Sequence, residues 1–381
     1  MSKFDEIRFF HDHEVNEALQ EISRDPMMRA LMTFTFPGKR RQEWREQLKN
    51  IHTIWDFQNE CIAYTVRQIV AKSSGGLTTS GFDLLDKKTP YLFISSHRDI
   101  VLDTSLLNLV LLESGHVMTA SAIGDNLIGK PFLHLLAKLN RNFLVQRGLS
   151  IREQLKSSQI MSEYIEELLH RRNHSVWIAQ REGRTKDGND ATQQGVLKML
   201  AMAGGEMPLT EYFKTLKIVP VSISYEYDPT DFLKIPQLLA MHKGEEYVKG
   251  KNEDFTNMLT GIVGQKRRIH IHAGKVLDQE LDEIAGTVDN KNKQLQAIAQ
   301  VIDDSIIGSY KLWPTQFIAH DLLYNTDTYS EHYPEKEKQL FERRLRMRIN
   351  SSDKISRDCF LEMYANPLVN KLKREKERVG N

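Results

Sequence analysis

A histidine stands where a predicted β-strand ends, and two aspartates follow it within six residues. His97 comes after the apolar segment 91–95, and Asp99 and Asp103 precede an apolar helix that begins near Leu106. A carboxylate that holds one ring nitrogen of a histidine leaves the other nitrogen free to take a proton from a substrate hydroxyl. A surface histidine beside a helix-capping aspartate would give the same local pattern. The stretch therefore indicates general-base chemistry, and the capping interpretation stays open.

Other chemistries that these residue types suggest lack their partners in the sequence. His97–Arg98–Asp99 imitates the catalytic-loop triplet of protein kinases, but Thr104 stands where that pattern needs a metal-binding asparagine. No Gly-x-Ser-x-Gly segment occurs, which argues against a serine hydrolase. His270 and His272 alternate along a predicted strand, but no third metal ligand stands nearby. We predict no metal site and no bound cofactor.

The elements that would position His97 are those of an α/β fold. Short apolar segments alternate with amphipathic helices, which predicts a mainly parallel central sheet with flanking helices. The predicted strands are residues 91–95, 116–121, 142–146, 175–180, 217–225 and 268–273. Ser150 and Glu153 predict a capping box for the helix after the third strand. The apolar stripe of that helix is Ile151, Leu155, Met161, Ile165 and Leu168.

The chain divides into three predicted regions. Apolar residues recur at helical spacing up to about Lys72, and residues 73–76 are a Ser-Gly breaker. We therefore predict a helical N-terminal region at residues 1–75, an α/β domain at residues 76–330, and a basic helical C-terminal tail at residues 331–381.

The composition excludes several classes of protein. The chain has 381 residues and a formal net charge of +1, so it carries no field that would attract nucleic acid. Cys61 and Cys359 are too few and too far apart for a disulfide framework, which favours a reducing compartment. The first residues lack the apolar core of a secretory signal, and no window approaches a transmembrane helix. We expect a cytoplasmic protein, and one that would lie on a bilayer rather than cross it if it works on lipid.

Four segments resemble, in the same order, the motifs of the glycerolipid acyltransferase superfamily, which acylates glycerol-3-phosphate, dihydroxyacetone phosphate and lysophosphatidate. They are residues 96–107, 142–148, 178–185 and 218–226. They resemble, in turn, a histidine and aspartate motif, an aromatic strand that ends in arginine, a Glu-Gly core with arginine and a hydroxyl residue, and a Val-Pro-Val strand. The resemblance covers roughly residues 87–276, and its later spacing resembles the glycerol-3-phosphate branch.

The resemblance implies a bacterial-type enzyme of phospholipid biosynthesis. It would move a fatty acyl group from acyl carrier protein or acyl-CoA to a hydroxyl of glycerol-3-phosphate or a related lysolipid. His97 would be the general base and Asp103 its carboxylate partner. The residues implied to bind the substrate are Arg98, Arg147, Glu182, Gly183, Arg184 and Thr185. The residue types agree with this chemistry, because guanidinium groups match phosphate geometry and a base must take the proton of the attacking hydroxyl.

Two observations favour Asp103 over Asp99 as the partner of His97. Asp99 stands where its short side chain can cap free backbone N–H groups of the following helix. Asp103 precedes the Thr-Ser-Leu-Leu run that follows the motif's aspartate in the family. Five residues separate His97 from Asp103, one more than in the family pattern, so we expect a wider turn or a bulge between strand and helix.

The third segment also departs from the family pattern. Arg184 follows Gly183 directly, whereas the family usually has one residue between them. In the family, this segment holds the phosphate of the acceptor. Two alternatives therefore stay open: O-acylation of a non-phosphoglycerol lipid such as an amino-acid lipid, and a non-catalytic lipid-binding or scaffold protein that retains the fold.

Three regions are candidates for contact with a membrane surface. They are residues 126–139, the N-terminal helices with Trp44, Trp55 and Phe57, and the two basic C-terminal clusters, Arg343, Arg344, Arg346 and Arg348 followed by Lys371, Lys373, Arg374 and Lys376. Basic amphipathic helices lie in the headgroup layer of a bilayer, although core packing is the simpler interpretation of residues 126–139. We predict peripheral attachment to the cytoplasmic face of the inner membrane.

Overall fold

Seven strands form one sheet in a computed structural model that describes residues 2–350 and 352–379. Their bounds are β1 Ser74–Ser80, β2 Leu92–Ser95, β3 Thr119–Gly124, β4 Asn142–Val145, β5 Ser175–Ala179, β6 Ile218–Tyr225 and β7 Arg267–Ala273. Strands β2 and β6 are buried over their whole length. Their mainly apolar sequences fit that burial, because helices cover both faces of a parallel sheet.

The direction of the strands fixes where the loops that carry chemistry meet. The order across the sheet is β1-β7-β6-β2-β5-β3-β4, and only the β6–β7 pair is antiparallel. Strands β2 to β6 therefore end at one edge of the sheet, here called the carboxyl edge, whereas β1 and β7 end at the opposite edge. The predicted α/β class and the six predicted strands are confirmed, with bounds that shift by up to three residues.

The first strand corrects the sequence analysis, which treats residues 73–76 as a breaker between regions. The structure begins β1 at Ser74, parallel to β7. Gly76 has a φ of +119°, and the pairing register shifts between Ser74 and Gly76. The strand was missed because it is an edge strand with no buried residue, so it has none of the apolar alternation that reveals a half-buried strand.

The N-terminal region is helical, as predicted. Its helices are α1 Asp12–Ile22, α2 Pro26–Thr35, α3 Arg41–Lys49, α4 Ile54–Phe57 and α5 Ala63–Ser73, with a π-helical turn at Gln58–Ile62. Trp44 and Phe57 are fully buried, while Trp55 is half-exposed. The side chains of Trp44 and Phe57 therefore stabilise the core and are not available to a membrane.

Nine helices flank the sheet between β2 and the C-terminal region, within the residues that the structure describes. They are α6 Leu102–Ser114, α7 Pro131–Leu139, α8 Ile151–His170, α9 Gln194–Leu200, α10 Leu209–Thr215, α11 Asp231–Lys243, α12 Glu253–Val263, α13 Asp278–Thr287 and α14 Lys291–Gly308. The helix expected over residues 126–139 begins only at Pro131, and Phe132 and Leu139 pack in the core.

The long helix α8 confirms one prediction and corrects another. Ser150 and Glu153 form the expected capping box. Ile165 and Leu168 are buried, but Ile151 and Leu155 are exposed although the same apolar stripe predicts them inside. The stripe fails at its start because the first six residues of the helix have no described part of the chain packed over them.

Three helices complete the fold: α15 Pro314–Tyr324, α16 Glu335–Arg348 and α17 Lys354–Val379. Arg344 and Arg348, from the first basic cluster, both contact the carboxylate of Asp231 in α11. In the second cluster, Arg374 pairs with Asp304. Much of the positive charge of these two clusters is therefore paired with carboxylates of the protein and is not free to bind a lipid surface. Among the described residues, no helix is both long and apolar enough to span a membrane.

Candidate active site

His97 and Asp103 are brought together by the loop that joins β2 to α6. Nδ1 of His97 lies 2.9 Å from Oδ2 of Asp103, which is fully buried in the first turn of α6. The same oxygen accepts hydrogen bonds from the backbone N–H groups of Arg98, at 2.6 Å, and of Asp99, at 3.0 Å. The loop thus wraps around the carboxylate, and this wrapping accommodates the extra residue between His97 and Asp103.

Asp99 caps the start of α6 and is not bonded to His97. Its Oδ1 accepts from the backbone N–H groups of Val101 and Leu102, at 2.9 and 2.8 Å. Burial and the neighbouring charge of Asp103 raise the pKa of Asp99. Helix α12 passes so close that a Cβ on Gly261 would lie 2.1 Å from the Asp99 carboxylate. Asp99 therefore belongs to the packing of two helices.

Two aromatic residues that the sequence analysis did not single out complete the surroundings of the pair. Tyr225, the last residue of β6, donates a 2.9 Å hydrogen bond to Oδ1 of Asp103. Burial, followed by the charge of Asp103, raises the pKa of that phenol. The indole of Trp177 meets the His97 imidazole edge to face at 5.6 Å, and its N–H bonds Ser95. The sequence feature that could have identified Tyr225 is its position near the end of the fourth motif.

With Nδ1 bonded to a carboxylate that can only accept, His97 carries its proton on Nδ1 and its Nε2 can act as a base. His97 lies in the wall of a cavity of about 950 Å³ at the carboxyl edge. One part of the wall is apolar and comes from α5, α6, β3 and α7, with Val66, Leu109, Ile123, Leu133 and Leu136 among its residues. The base therefore faces a space that could hold an alkyl chain.

The loop after β5 lies directly against the histidine. The backbone N–H of Thr185 donates to the carbonyl of His97 at 3.0 Å. Arg184, which is largely buried, lines the cavity and donates to the hydroxyl of Thr230 at 3.1 Å. Gly183 has a φ of +70°, a conformation that glycine adopts without strain. The left-handed turn thus lets the loop fold back toward His97.

Arg147 and Glu182 meet across the cavity wall. Nη1 of Arg147 lies 2.6 Å from Oε1 of Glu182, and both residues line the cavity. Both side chains are partly exposed, so the pair contributes little to stability. The Glu182 carboxylate therefore lies against the guanidinium of Arg147 at the cavity wall.

Lys186 is a cavity residue that the sequence analysis missed. It lines the wall two residues after Arg184, and within the described ranges its ammonium has no ion pair or hydrogen bond. Burial, followed by the charges of Arg184, Lys234 and Lys249, lowers the pKa of Lys186 to about 7. Arg184 likewise has no carboxylate partner in the part of the chain that the structure describes. The two form a cationic end of the cavity.

Two predicted substrate-binding residues lie outside the cavity wall. Arg98 turns away from it, and its Nη2 lies 2.5 Å from Oδ2 of Asp190. The hydroxyl of Thr185 also bonds Asp190, which accepts from Tyr310 as well. The structure therefore groups Arg98 and Thr185 in a buried polar network behind the loop, where they hold its shape.

The pair His270 and His272 has hydroxyl neighbours. Ser80 on β1 lies within 3.0 Å of a ring nitrogen of each, and Thr78 contacts His270. No group of three or more potential metal ligands occurs among residues 2–350 and 352–379.

Comparison with known proteins gives one family model that matches part of the chain. Residues 76–224 match the model of the acyltransferase family. Among solved structures, the chain is similar to the 1-acyl-sn-glycerophosphate (LPA) acyltransferase PlsC from Thermotoga maritima, with 12% identity, a TM-score of 0.39, and coverage of 76% of this chain and 95% of that one. No curated protein is significantly similar in sequence. The matched residues include His97, Asp103 and Arg184. The chain therefore carries an acyltransferase domain at residues 76–224 and is an acyltransferase enzyme.

Proposed function

We propose that the enzyme transfers a fatty acyl group from a thioester, either acyl carrier protein or acyl-CoA, to a hydroxyl of glycerol-3-phosphate or a related lysolipid in membrane lipid synthesis. One observation carries the proposal. The His97 base opens into a cavity that has an apolar part and a cationic part, the latter formed by Arg184 and Lys186. An acyl chain suits the first part and an anionic head group suits the second.

The chemistry follows from the position of each group. Nε2 of His97 takes the proton of the acceptor hydroxyl while its oxygen attacks the thioester carbonyl. The tetrahedral intermediate collapses, the carbon–sulfur bond breaks, and the imidazolium returns the proton to the leaving thiolate. Asp103 holds the imidazole in the required tautomer and stabilises its charged form. No metal or bound cofactor enters these steps.

The cationic end of the cavity supports an anionic acceptor over a neutral one. Arg147 and Lys249 also line the cavity, but each already contacts a carboxylate, Glu182 and Asp254 respectively. Arg184 and Lys186 have no such partner in the described ranges. Cations without a counter-ion in a partly buried site gain most from an anionic ligand.

We place this activity on the cytoplasmic face of the inner membrane. Both cysteines, Cys61 and Cys359, are free and buried, which agrees with a reducing compartment. A peripheral enzyme must let a lipid acceptor reach His97 from the bilayer, so the cavity would open toward the membrane.

The test is an acyl-transfer assay with the purified full chain. Acyl carrier protein and acyl-CoA donors of matched chain length are each offered with glycerol-3-phosphate, a lysophosphatidate and a lysolipid of an amino acid, and the products are identified by mass spectrometry. The proposal expects an ester product with one of the phosphate-bearing acceptors. Product with the amino-acid lipid alone, or no product with any pair, would contradict it.

A further inference from the structure

The first six residues of α8 project from the protein body. All of residues 151–156, here called the α8 tip, are exposed, and Ile151 and Leu155 expose 89% and 63% of their surface. Residues at positions i and i+4 lie on one face of a helix. The two side chains therefore form a single apolar patch that no described part of the chain covers.

The α8 tip lies beside the cavity that holds His97. Gln154, Ser157 and Met161 of the same helix line that cavity, and so does Arg147, just before the helix. With about 3.6 residues per turn, the apolar patch is next to this cavity-facing stripe rather than on the far side of the helix. An object that covers the patch would also approach the cavity.

The charge of the α8 tip is positive. Arg152 and Lys156 are exposed, one turn apart, and neither makes an ion pair or hydrogen bond with a described residue. The acidic residue of the tip, Glu153, is occupied, because its carboxylate accepts hydrogen bonds of 2.9 and 2.6 Å from the backbone and hydroxyl of Ser150. An apolar patch flanked by unpaired basic groups matches the surface of an anionic bilayer, where acyl chains lie beneath negatively charged head groups.

A second exposed apolar site adjoins the same cavity. Met241, near the end of α11, lines the cavity and is more than half exposed, and Val248 is highly exposed next to Lys249, another lining residue. The cavity thus has exposed apolar side chains from two separate segments.

We propose that the α8 tip inserts into an anionic lipid bilayer and so presents the cavity to it. The proposal rests on the proposed function in one respect, which is that the acceptor or product is a lipid. Ile151 and Leu155 enter the boundary between head groups and acyl chains, and Arg152 and Lys156 bind lipid phosphates. The regions that the sequence favoured are less suited, since Trp44 and Phe57 are buried and Arg344 and Arg348 bind Asp231.

The experiment measures binding of the full chain to vesicles made of equal parts phosphatidylcholine and phosphatidylglycerol. The test variant is Ile151→Ser with Leu155→Ser. The matched control is Leu84→Ser, because Leu84 is 67% exposed and follows β1, which ends at the opposite edge of the sheet. A third variant, Arg152→Gln with Lys156→Gln, tests the charge. Thermal melts of all variants should coincide with that of the native chain.

The test variant should bind the vesicles at least about tenfold more weakly, since two apolar side chains no longer leave water. The control should bind like the native chain, and the charge variant should no longer prefer these vesicles over pure phosphatidylcholine. Acyl transfer to water-soluble glycerol-3-phosphate should be unchanged in the test variant.

Native-like vesicle binding by the test variant, or no binding by the native chain, would overturn the inference. Loss of a dimer or of carrier-protein binding, with vesicle binding intact, would assign the tip to those partners and also overturn it. Vesicle binding that depends on the tip in a chain without acyl-transfer activity would support this inference and contradict the proposed function.

Discussion

Tyr225 donates a 2.9 Å hydrogen bond to Oδ1 of Asp103, and the other oxygen of that carboxylate contacts Nδ1 of His97. The phenol, the carboxylate and the imidazole thus form one chain across the neighbouring strands β6 and β2 and the start of α6. Both oxygens of Asp103 are engaged, so its orientation is fixed by Tyr225 at the end of β6 and by the loop between β2 and α6, which supplies His97 and two backbone N–H groups. The next two predictions separate the contributions of these partners.

Asp103→Asn should lower kcat by about a thousandfold or more, because the amide no longer selects the tautomer that leaves Nε2 free. Asp99→Asn should keep most of the activity and cost about 1 kcal/mol of stability or less, since asparagine also caps helices. Steady-state acyl-transfer rates beside thermal melts check both. A well-folded, inactive Asp99→Asn beside an active Asp103→Asn would reverse the assignment.

Tyr225→Phe should act through Asp103 and not through the substrate, since Tyr225 is absent from the cavity wall. Loss of one hydrogen bond to a buried carboxylate costs about 1 kcal/mol or somewhat more, which corresponds to a decrease in kcat of about five- to tenfold. The KM for the acceptor should stay unchanged. A variant that alters KM while kcat stays native would instead place the phenol in substrate binding.

Arg184→Ala should raise the KM of an anionic acceptor by about 10- to 100-fold, the effect of losing charge-assisted hydrogen bonds. The change should fall mainly on KM, because the acceptor's charge is present in both ground and transition states. The control is Arg171→Ala, because Arg171 is an exposed arginine just after the last residue of α8. Initial-rate kinetics with varied acceptor check it, and native kinetics in Arg184→Ala would remove this guanidinium from the site.

The affinity for an anionic acceptor should fall as pH rises through 7. The lowered pKa of Lys186, about 7, means that its ammonium is charged below this pH and neutral above it in the free enzyme. Above pH 7, KM should therefore rise with pH, and the steepness of this rise should approach about tenfold per pH unit. Lys186→Met should have a high KM without that rise. The same pH dependence in Lys186→Met would assign it to another group.

Removing Lys186 should not destabilise the fold. Its folded-state pKa lies below the ordinary lysine value of 10.5, so between about pH 7 and 10 the unfolded chain binds more protons and the charged lysine opposes folding. A lower melting temperature of Lys186→Met at neutral pH would indicate a structural role instead.

The sequence predicted the sheet because β2, β5 and β6 are mainly apolar segments, which the core requires. It also placed His97 at the end of a strand. It could not reveal β1, whose exposure removes any apolar alternation, or the exposure of Ile151 and Leu155, which depends on what packs over α8. These features are set by tertiary neighbours and not by local spacing.

The active site likewise combines features that the sequence could predict with features that depend on the tertiary structure. The partner of His97 could be chosen because Asp99 and Asp103 have different places relative to the helix start. Tyr225 is distant in sequence, and its role depends on the pairing of β2 with β6. The direction of Arg98 could not be known either, since its carboxylate partner Asp190 comes from a loop far along the chain.

The central claim is that His97 is the base of an acyl-transfer reaction. The most direct measurement is kcat/KM for acyl transfer by His97→Ala, with His170→Ala, an exposed histidine at the far end of α8, as the control. Loss of a general base should lower kcat/KM by about 10²- to 10⁴-fold with an unchanged melting temperature, while the control stays native. Native acyl-transfer rates in a folded His97→Ala would contradict the account.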